Sequence, residues 1–388
     1  MSVASEMTSA CSQSPTKATP TSKVRRLLTR CVIIGVIGLI NLVVLEIGLR
    51  ATGRYRMDNS EGYFQRGGIS YLLKKNVTKE VRWPTMSFTV HTSDLGFRAK
   101  RPGPQIVGER PYYVALGASD VFGNGLNYED TFVGILDGKL GAQGIDVVNM
   151  GVAGHHLQEQ VALFKSFVSA RTNAPRTVVL FFNPLLIGGF DDNHTDVLIK
   201  RGDLFQKDSW RTALLRKMLQ NTSAAYCFFR DSIRSIQRRF STQKEFALSF
   251  YIEKFSTKHP IRTPARAQEF LRNLDDFEQY LRGLNVELVY VYCPPAGAFL
   301  VDDLKAKGRI DPQSVDTRFF VDLVRDHAQE KGVRFISLEP PAQERYGKGE
   351  KLTFDSDGHF NGPTSRVVGE YLYKMLNPGP GMPHPSAE

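Results

Sequence analysis

The residues best suited to chemistry begin with a serine that follows a short apolar run. Residues 112–117 are typical of a buried parallel strand, and Gly117, Ala118 and Ser119 end it. Open α/β sheets bind ligands at the carboxyl ends of their strands, so Ser119 would lie where a substrate binds. A hydroxyl in that position can act as a nucleophile. Backbone N–H groups at the start of the following helix, including that of Ser119, could stabilise an oxyanion.

A candidate base lies far along the chain, in residues 354–361. His359 precedes the last predicted helix, and Asp357 stands two residues before it. A histidine beside that helix can reach the sheet edge and take the serine proton, while the carboxylate holds its other ring nitrogen. The sequence therefore predicts Ser119, His359 and Asp357 as a catalytic triad, with Asp355 as a weaker candidate for the acid.

Two further strand ends carry candidate oxyanion donors. Gly151 follows a short strand at 146–149, and Asn183 follows a strand at 177–182. Because parallel strands deliver their ends to one side, the Gly151 N–H and the Asn183 amide are predicted to complete an oxyanion hole with the Ser119 N–H. Two simpler interpretations stay open. Gly151 could be a turn glycine with positive φ, and Asn183 could be a turn residue before Pro184.

The elements that must position these residues alternate regularly. The predicted strands are 112–117, 146–149, 177–182, 286–292 and 334–337. The predicted helices are about 129–141, 156–170, 266–283, 315–331 and 364–375. This alternation indicates one α/β domain over residues 110–376, with a parallel sheet covered by helices on both faces.

An insertion interrupts the alternation at residues 188–264. Within it, residues 200–240 carry ten basic and three acidic side chains, and their apolar spacing favours two amphipathic helices. We interpret the insertion as a helical cap.

The N-terminal part predicts a membrane anchor. Residues 1–22, rich in Ser, Thr and Pro, predict a disordered cytoplasmic tail. Residues 23–50 begin with a basic cluster and continue as an apolar run, which predicts an uncleaved transmembrane signal anchor with the rest of the chain outside the cytoplasm. The run is longer than a signal-peptide core, and no small-residue cleavage site follows it. Residues 51–109 are predicted to be a polar connector with short strands, and residues 377–388 a disordered tail.

Composition excludes several classes of function. The 388 residues carry a net charge of +10, but the basic residues are scattered and no nucleic-acid motif accompanies them, so no nucleic-acid partner is expected. The four cysteines form no C-x-x-C pair, which argues against structural zinc; only Cys227 and Cys293 could form a disulfide. Neither a metal nor an organic cofactor is implied.

These stretches together resemble the SGNH (GDSL-type) hydrolase family over about residues 112–375. The matching positions are the block Gly117-Ala118-Ser119-Asp120 through Gly123, then Gly151, Asn183, Asp357 and His359. Three positions depart from the family pattern. Ala118 replaces the usual acid, Pro184 replaces an aspartate that often follows the asparagine, and Ser356 stands where many members carry the triad acid. The resemblance implies a three-layer α/β/α flavodoxin-like domain.

The order of anchor, connector with Gly96-Phe97-Arg98 and catalytic blocks resembles a bacterial membrane-anchored branch of that family. That branch resembles enzymes that add or remove O-acetyl groups on cell-surface polysaccharides. The implied function is a serine esterase or acyl transferase acting on O-acyl, in particular O-acetyl, groups of an extracytoplasmic, periplasmic glycan. One alternative is a membrane-anchored glycan-binding or assembly protein that has lost turnover. Another is a lipid-ester hydrolase with an apolar groove under the cap.

Overall fold

The computed structural model describes residues 22–51, 63–66, 71–83, 86–105, 107, 109–183, 223–226, 228–229, 232–233, 252, 255–259, 262–354 and 358–377. The strands are β1 Phe64–Arg66, β2 Tyr71–Leu73, β3 Thr78–Trp83, β4 Met86–Thr92, β5 Arg98–Ala99, β6 Tyr112–Leu116, β7 Asp146–Asn149, β8 Thr177–Phe182, β9 Glu287–Tyr292 and β10 Arg334–Ser337. The helices are α1 Ser22–Ala51, α2 Ser119–Phe122, α3 Phe132–Gly141, α4 Leu157–Ser169, α5 Pro264–Gly283, α6 Ala296–Ala306, α7 Phe319–Lys331, α8 Glu339–Gly347 and α9 Gly362–Leu376.

One mixed sheet organises the described part of the domain. Its strand order is β10-β9-β8-β6-β7-β5-β4-β3. The five strands from β10 to β7 are parallel, whereas β5, β4 and β3 pair antiparallel along the β7 side. The carboxyl ends of β6, β7, β8 and β9 therefore meet at one edge, as the alternation predicted.

Alternating side chains of β6 show how the two faces of the sheet are covered. Val114 belongs to a core with Phe164 of α4 and Phe277 of α5. Ala115 belongs to the opposite core, with residues of α3, α6, α8 and α9, among them Leu136. Both faces of the central strands are buried, which is why these strands are continuous apolar runs. The prediction of a three-layer α/β/α domain is confirmed.

The predicted strands and helices of the domain occur in the predicted order, with ends shifted by a few residues. Among the described helices, the short α2 and the longer α6 and α8 were not predicted. The start of α9 shows why the last helix begins where it does: Asn361 accepts a hydrogen bond from the Thr364 N–H at 3.0 Å. Most of the predicted cap, including nearly all of residues 200–240, lies outside the described residues.

The described part of residues 51–109, predicted to be a polar connector with short strands, contributes to the main sheet. Its strands β3, β4 and β5 extend the sheet itself. Phe88 and Val90 of β4 pack with Tyr63 around Phe122 of α2. The predicted turn before Arg98 is present, since Ser93 donates its N–H to Phe97 O at 2.9 Å. This part of the chain is therefore an integral edge of the domain.

Helix α1 corresponds to the segment that was predicted to be a membrane anchor. Its residues Arg25–Ala51 contain an 18-residue window with a mean hydropathy of 2.6, and they are long and apolar enough to cross a membrane, a property that signal sequences share. Near its end, Glu46 accepts hydrogen bonds from the N–H groups of Ala224 and Ala225 at 3.0 and 2.8 Å. A described piece of the insertion therefore contacts the end of this helix.

Candidate active site

Ser119 lies where the sequence predicted, at the end of β6 and the start of α2. Residue 117 lies so close to α2 that it must be glycine, because a Cβ there would lie 2.2 Å from Val121 Cγ2. The Ser119 carbonyl accepts from the N–H groups of Gly123 and Asn124 at 2.9 and 3.2 Å. Among the described residues, no hydrogen bond involves the Ser119 hydroxyl. It is partly exposed, as a nucleophile must be.

Asn183 directly follows β8, which pairs with β6, and its side chain is buried. Its Nδ2 donates to Asp120 Oδ2 at 2.5 Å. An amide nitrogen has two hydrogens, and this contact uses one of them. No role was predicted for Asp120, the residue directly after Ser119, and this hydrogen bond joins it to Asn183.

His359 lies in a turn closed by a bridge between Thr353 and Phe360. The Phe354 ring lies against Gly125, where a Cβ would come within 2.6 Å of Phe354 Cε2. The segment that carries His359 therefore packs on the turn that follows Ser119. Asp357 and the weaker candidate Asp355 lie outside the described residues, as does Ser356, so the acid of the triad stays a prediction.

The structure gives the Gly151 N–H a different acceptor from the predicted oxyanion. It donates to Asn149 Oδ1 at 2.9 Å. A Cβ at Gly151 would lie 2.4 Å from the Phe122 nitrogen, so this glycine permits a close approach to α2. Gly154, for which no role was predicted, has φ +83°, and among the described residues none accepts a hydrogen bond from its N–H.

The end of β9 brings a thiol to the same edge. Cys293 is buried, and its N–H donates to Phe182 O at 2.9 Å. Burial, with a contribution from the charge of Asp120, raises the pKa of this thiol well above its usual value. Cys293 is a free cysteine, while Cys227 lies outside the described residues.

Three ionisable side chains on α5 and α7 lie close enough together to be candidate metal ligands. The ligand atoms of Asp275, Glu278 and His327 lie within 4.8 Å of one another. However, Glu278 Oε1 accepts from the Tyr290 hydroxyl at 2.6 Å and lies 3.1 Å from His327 Nε2. Lys331 pairs with Asp275 at 2.7 Å. Because protein groups already satisfy these atoms, we interpret the cluster as a buried hydrogen-bond network and assign it no metal.

Comparison with known proteins gives structural similarities only. No family model matches the chain, and no curated protein matches its sequence. A G-D-S-L-family lipolytic protein from Veillonella parvula is 12% identical, with 70% of this chain and 99% of that chain covered and a TM-score of 0.38. A lipase/acylhydrolase from Enterococcus faecalis is 11% identical, with 69% of this chain and 95% of that chain covered and a TM-score of 0.37. A catalytic mutant of an acetylxylan esterase from Geobacillus stearothermophilus is 12% identical, with 70% of this chain and 95% of that chain covered and a TM-score of 0.39.

Identities and TM-scores this low do not identify an activity. The assignment of the site depends on the chain's own contacts.

Proposed function

We propose that this protein is a serine-dependent ester hydrolase or acyl transferase with its nucleophile at Ser119. The observation that carries the proposal is the hydrogen bond between Asn183 and Asp120. It joins the side-chain amide at the end of β8 to the residue that follows a partly exposed serine at the end of β6. A nucleophile and an oxyanion donor on adjacent strand ends are what acyl transfer requires.

In the proposed mechanism, the Ser119 hydroxyl attacks the acyl carbonyl and His359 takes its proton. The Ser119 N–H and Asn183 Nδ2 donate to the oxyanion of the tetrahedral intermediate, and the Gly154 N–H takes the place first given to Gly151. His359 then returns the proton to the leaving alcohol, and an ester on Ser119 remains. Asp357, as the sequence predicts, would hold the other ring nitrogen of His359. Water or a sugar hydroxyl then accepts the acyl group.

The substrate and its location form a finer part of the proposal. We propose an O-acetyl group on an extracytoplasmic glycan, with α1 as a single membrane anchor. Helix α1 supports the anchor because it is long and apolar enough to span a bilayer. The glycan and acetyl assignments rest on the sequence resemblance stated above.

The first test is covalent labelling of the full chain in detergent with a fluorophosphonate, alongside hydrolysis of p-nitrophenyl acetate. We expect labelling at Ser119, and a loss of turnover of at least ~10³-fold in Ser119→Ala. Ser169→Ala, an exposed serine at the end of α4, is the matched control and should retain full activity. No labelling of the wild type, or equal turnover in Ser119→Ala, would sink the proposal and favour a glycan-binding role.

A second measurement separates hydrolysis from transfer. The labelled acyl group of an acetyl donor is followed in the presence of glycan fragments. Release as free acetate assigns an esterase, and appearance of the label on the glycan assigns a transferase. A long-chain ester cleaved much faster than an acetyl ester would contradict the acetyl assignment and favour a lipid-ester hydrolase.

A further inference from the structure

A buried arginine from the connector lies against the turn that follows Ser119. Arg98 is 0% exposed, and its Cζ lies 4.5 Å from the centroid of the Phe122 ring and 5.8 Å from that of Phe88. Within the described residues, no carboxylate forms a salt bridge with it. Burial lowers the pKa of this guanidinium to about 10. A buried cation without such a partner is costly, so the contacts it makes must offset that cost.

Those contacts are with backbone carbonyls of a single turn. Arg98 Nη1 donates to Phe122 O at 2.5 Å and to Gly123 O at 2.8 Å, and Nη2 donates to Leu126 O. Its register partner across the β5–β7 pair is Asn149. Asn149 Nδ2 donates to Val121 O at 2.9 Å. Two opposed side chains on neighbouring strands therefore hold four carbonyls of residues 121–126.

These contacts continue directly to Ser119. The peptide group between Phe122 and Gly123 gives its carbonyl to Arg98 and its N–H to Ser119 O, the latter at 2.9 Å. The next N–H, that of Asn124, also donates to Ser119 O, at 3.2 Å. Because a peptide group is planar and rigid, fixing its oxygen fixes the direction of its N–H. The orientation of the Ser119 carbonyl thus follows from the position of Arg98.

We propose that Arg98, together with Asn149, is a positioning residue that sets the orientation of Ser119 for nucleophilic attack. The inference rests on the proposed function of Ser119. Arg98 would not touch the substrate; it acts through the turn at 121–126. A misplacement of about 1 Å at a reacting group can cost ~10²-fold in rate. The connector, expected to be a linker, would then supply part of the active site.

The experiment compares Arg98→Lys and Arg98→Met with the wild-type full chain in detergent. We expect kcat for p-nitrophenyl acetate to fall ~10²-fold while KM changes by less than about 3-fold, because the turn and not substrate binding is altered. Lysine keeps a cation but offers one nitrogen to acceptors that the arginine reaches with two. Labelling of Ser119 by a fluorophosphonate should slow in parallel.

The pH profile distinguishes positioning from simple support of the fold. Burial lowers the pKa of a lysine amine, so kcat of Arg98→Lys should fall further between about pH 6 and about pH 9. Tyr63, Tyr128 and Glu129 face the guanidinium and are the same in both proteins. The ratio of variant to wild-type kcat therefore isolates the change at residue 98. The guanidinium, with a pKa of about 10, stays charged over most of this range.

Arg334→Lys is the control, because this half-buried arginine begins β10 at the opposite edge of the sheet. It should keep the wild-type kcat and pH profile. The inference is overturned if Arg98→Lys retains the wild-type kcat and pH profile. It is also overturned if the decrease in kcat only follows the fraction of protein that is folded. A wild-type chain that is not labelled at Ser119 would instead overturn the proposed function, and the inference with it.

Discussion

Asp120 Oδ2 accepts a hydrogen bond from Asn183 Nδ2 at 2.5 Å, across the ends of the neighbouring strands β6 and β8. An ionised carboxylate only accepts hydrogen bonds, so it determines which end of the Asn183 amide faces it. The nitrogen therefore faces Asp120, the residue that follows Ser119. Asp120 thus contributes to the orientation of Asn183 that the proposed mechanism requires.

Replacing Asp120 should therefore reduce turnover through Asn183. In Asp120→Ala the Asn183 amide loses this acceptor, and we expect kcat for p-nitrophenyl acetate to fall ~10- to ~10²-fold, within the range that loss of one oxyanion donor can reach. Asp120→Asn still offers an acceptor oxygen and should lose less. The double variant Asp120→Ala with Asn183→Ala should be no worse than Asn183→Ala alone. Additive losses would show that Asp120 acts independently of Asn183.

Gly151 gives a prediction about packing against α2. In Gly151→Ala the new methyl would lie 2.4 Å from the Phe122 nitrogen and 2.7 Å from the Val121 carbonyl carbon. Backbone cannot yield as a flexible side chain can, so we expect a loss of about 1–3 kcal/mol in the free energy of unfolding and a displaced Ser119 with reduced labelling.

The control for this variant is Gly138→Ala, in the middle of α3, where a Cβ would meet no atom within 4 Å. It should raise the free energy of unfolding by about 0.5–1 kcal/mol, because alanine favours helix over glycine. Chemical denaturation of both variants measures the two changes. A Gly151→Ala protein as stable and as reactive as the wild type would contradict the close approach described here.

The sequence predicted the central parallel strands well because they are apolar on both faces. It missed α6 and α8 for a local reason. Each has proline at or just before its first turn, Pro295 at the N-cap of α6 and Pro340 and Pro341 in α8. Proline pairs suggest a loop in a sequence, yet the first helical turn needs no donated N–H, so proline fits there.

The sequence predicted those site residues that directly follow the end of a strand. Ser119 and Asn183 follow apolar runs, and the structure places both at one edge of the sheet. The Gly151 contact could also have been found, since an asparagine two residues before an N–H commonly accepts from it. The hydrogen bond between Asp120 and Asn183 could not be predicted from the sequence, because the directions of these side chains depend on how β6 and β8 are paired. The role of Arg98 depends likewise on the antiparallel pairing of β5 with β7.

Asp137 predicts a pH-dependent stability. Its carboxyl accepts from the Tyr128 hydroxyl at 3.2 Å, and burial raises its pKa from 3.8 to about 6. The folded protein therefore holds this proton more tightly than the unfolded chain does. The corresponding stability is fully present below about pH 3.8 and is lost as the pH rises through about 6.

Asp137→Asn carries no titrating proton at this position. Relative to the wild type, its free energy of unfolding should rise by about 2–3 kcal/mol between about pH 4 and about pH 8. Urea denaturation of the full chain in detergent at both pH values measures this difference. A constant difference between Asp137→Asn and the wild type would show that the carboxyl is not perturbed by folding.

Truncation tests whether the connector belongs to the domain. A fragment of residues 63–388 keeps Tyr63, Phe88 and Val90, which pack around Phe122, whereas a fragment of residues 110–388 loses them together with Arg98. Burying each large apolar side chain contributes roughly 1.5–3 kcal/mol. The free energy of unfolding of the shorter fragment should therefore be lower by on the order of 5 kcal/mol, which is comparable with the whole stability of many domains.

We expect the 63–388 fragment to fold, as judged by circular dichroism and a cooperative thermal transition, and to react with a fluorophosphonate at Ser119. The 110–388 fragment exposes the edge of β7 and should aggregate or lose cooperative unfolding. Comparing the two fragments at equal concentration controls for removal of α1, which both lack. If the shorter fragment folds and is labelled at the rate of the longer one, β3, β4 and β5 are dispensable and Arg98 cannot be what positions the serine.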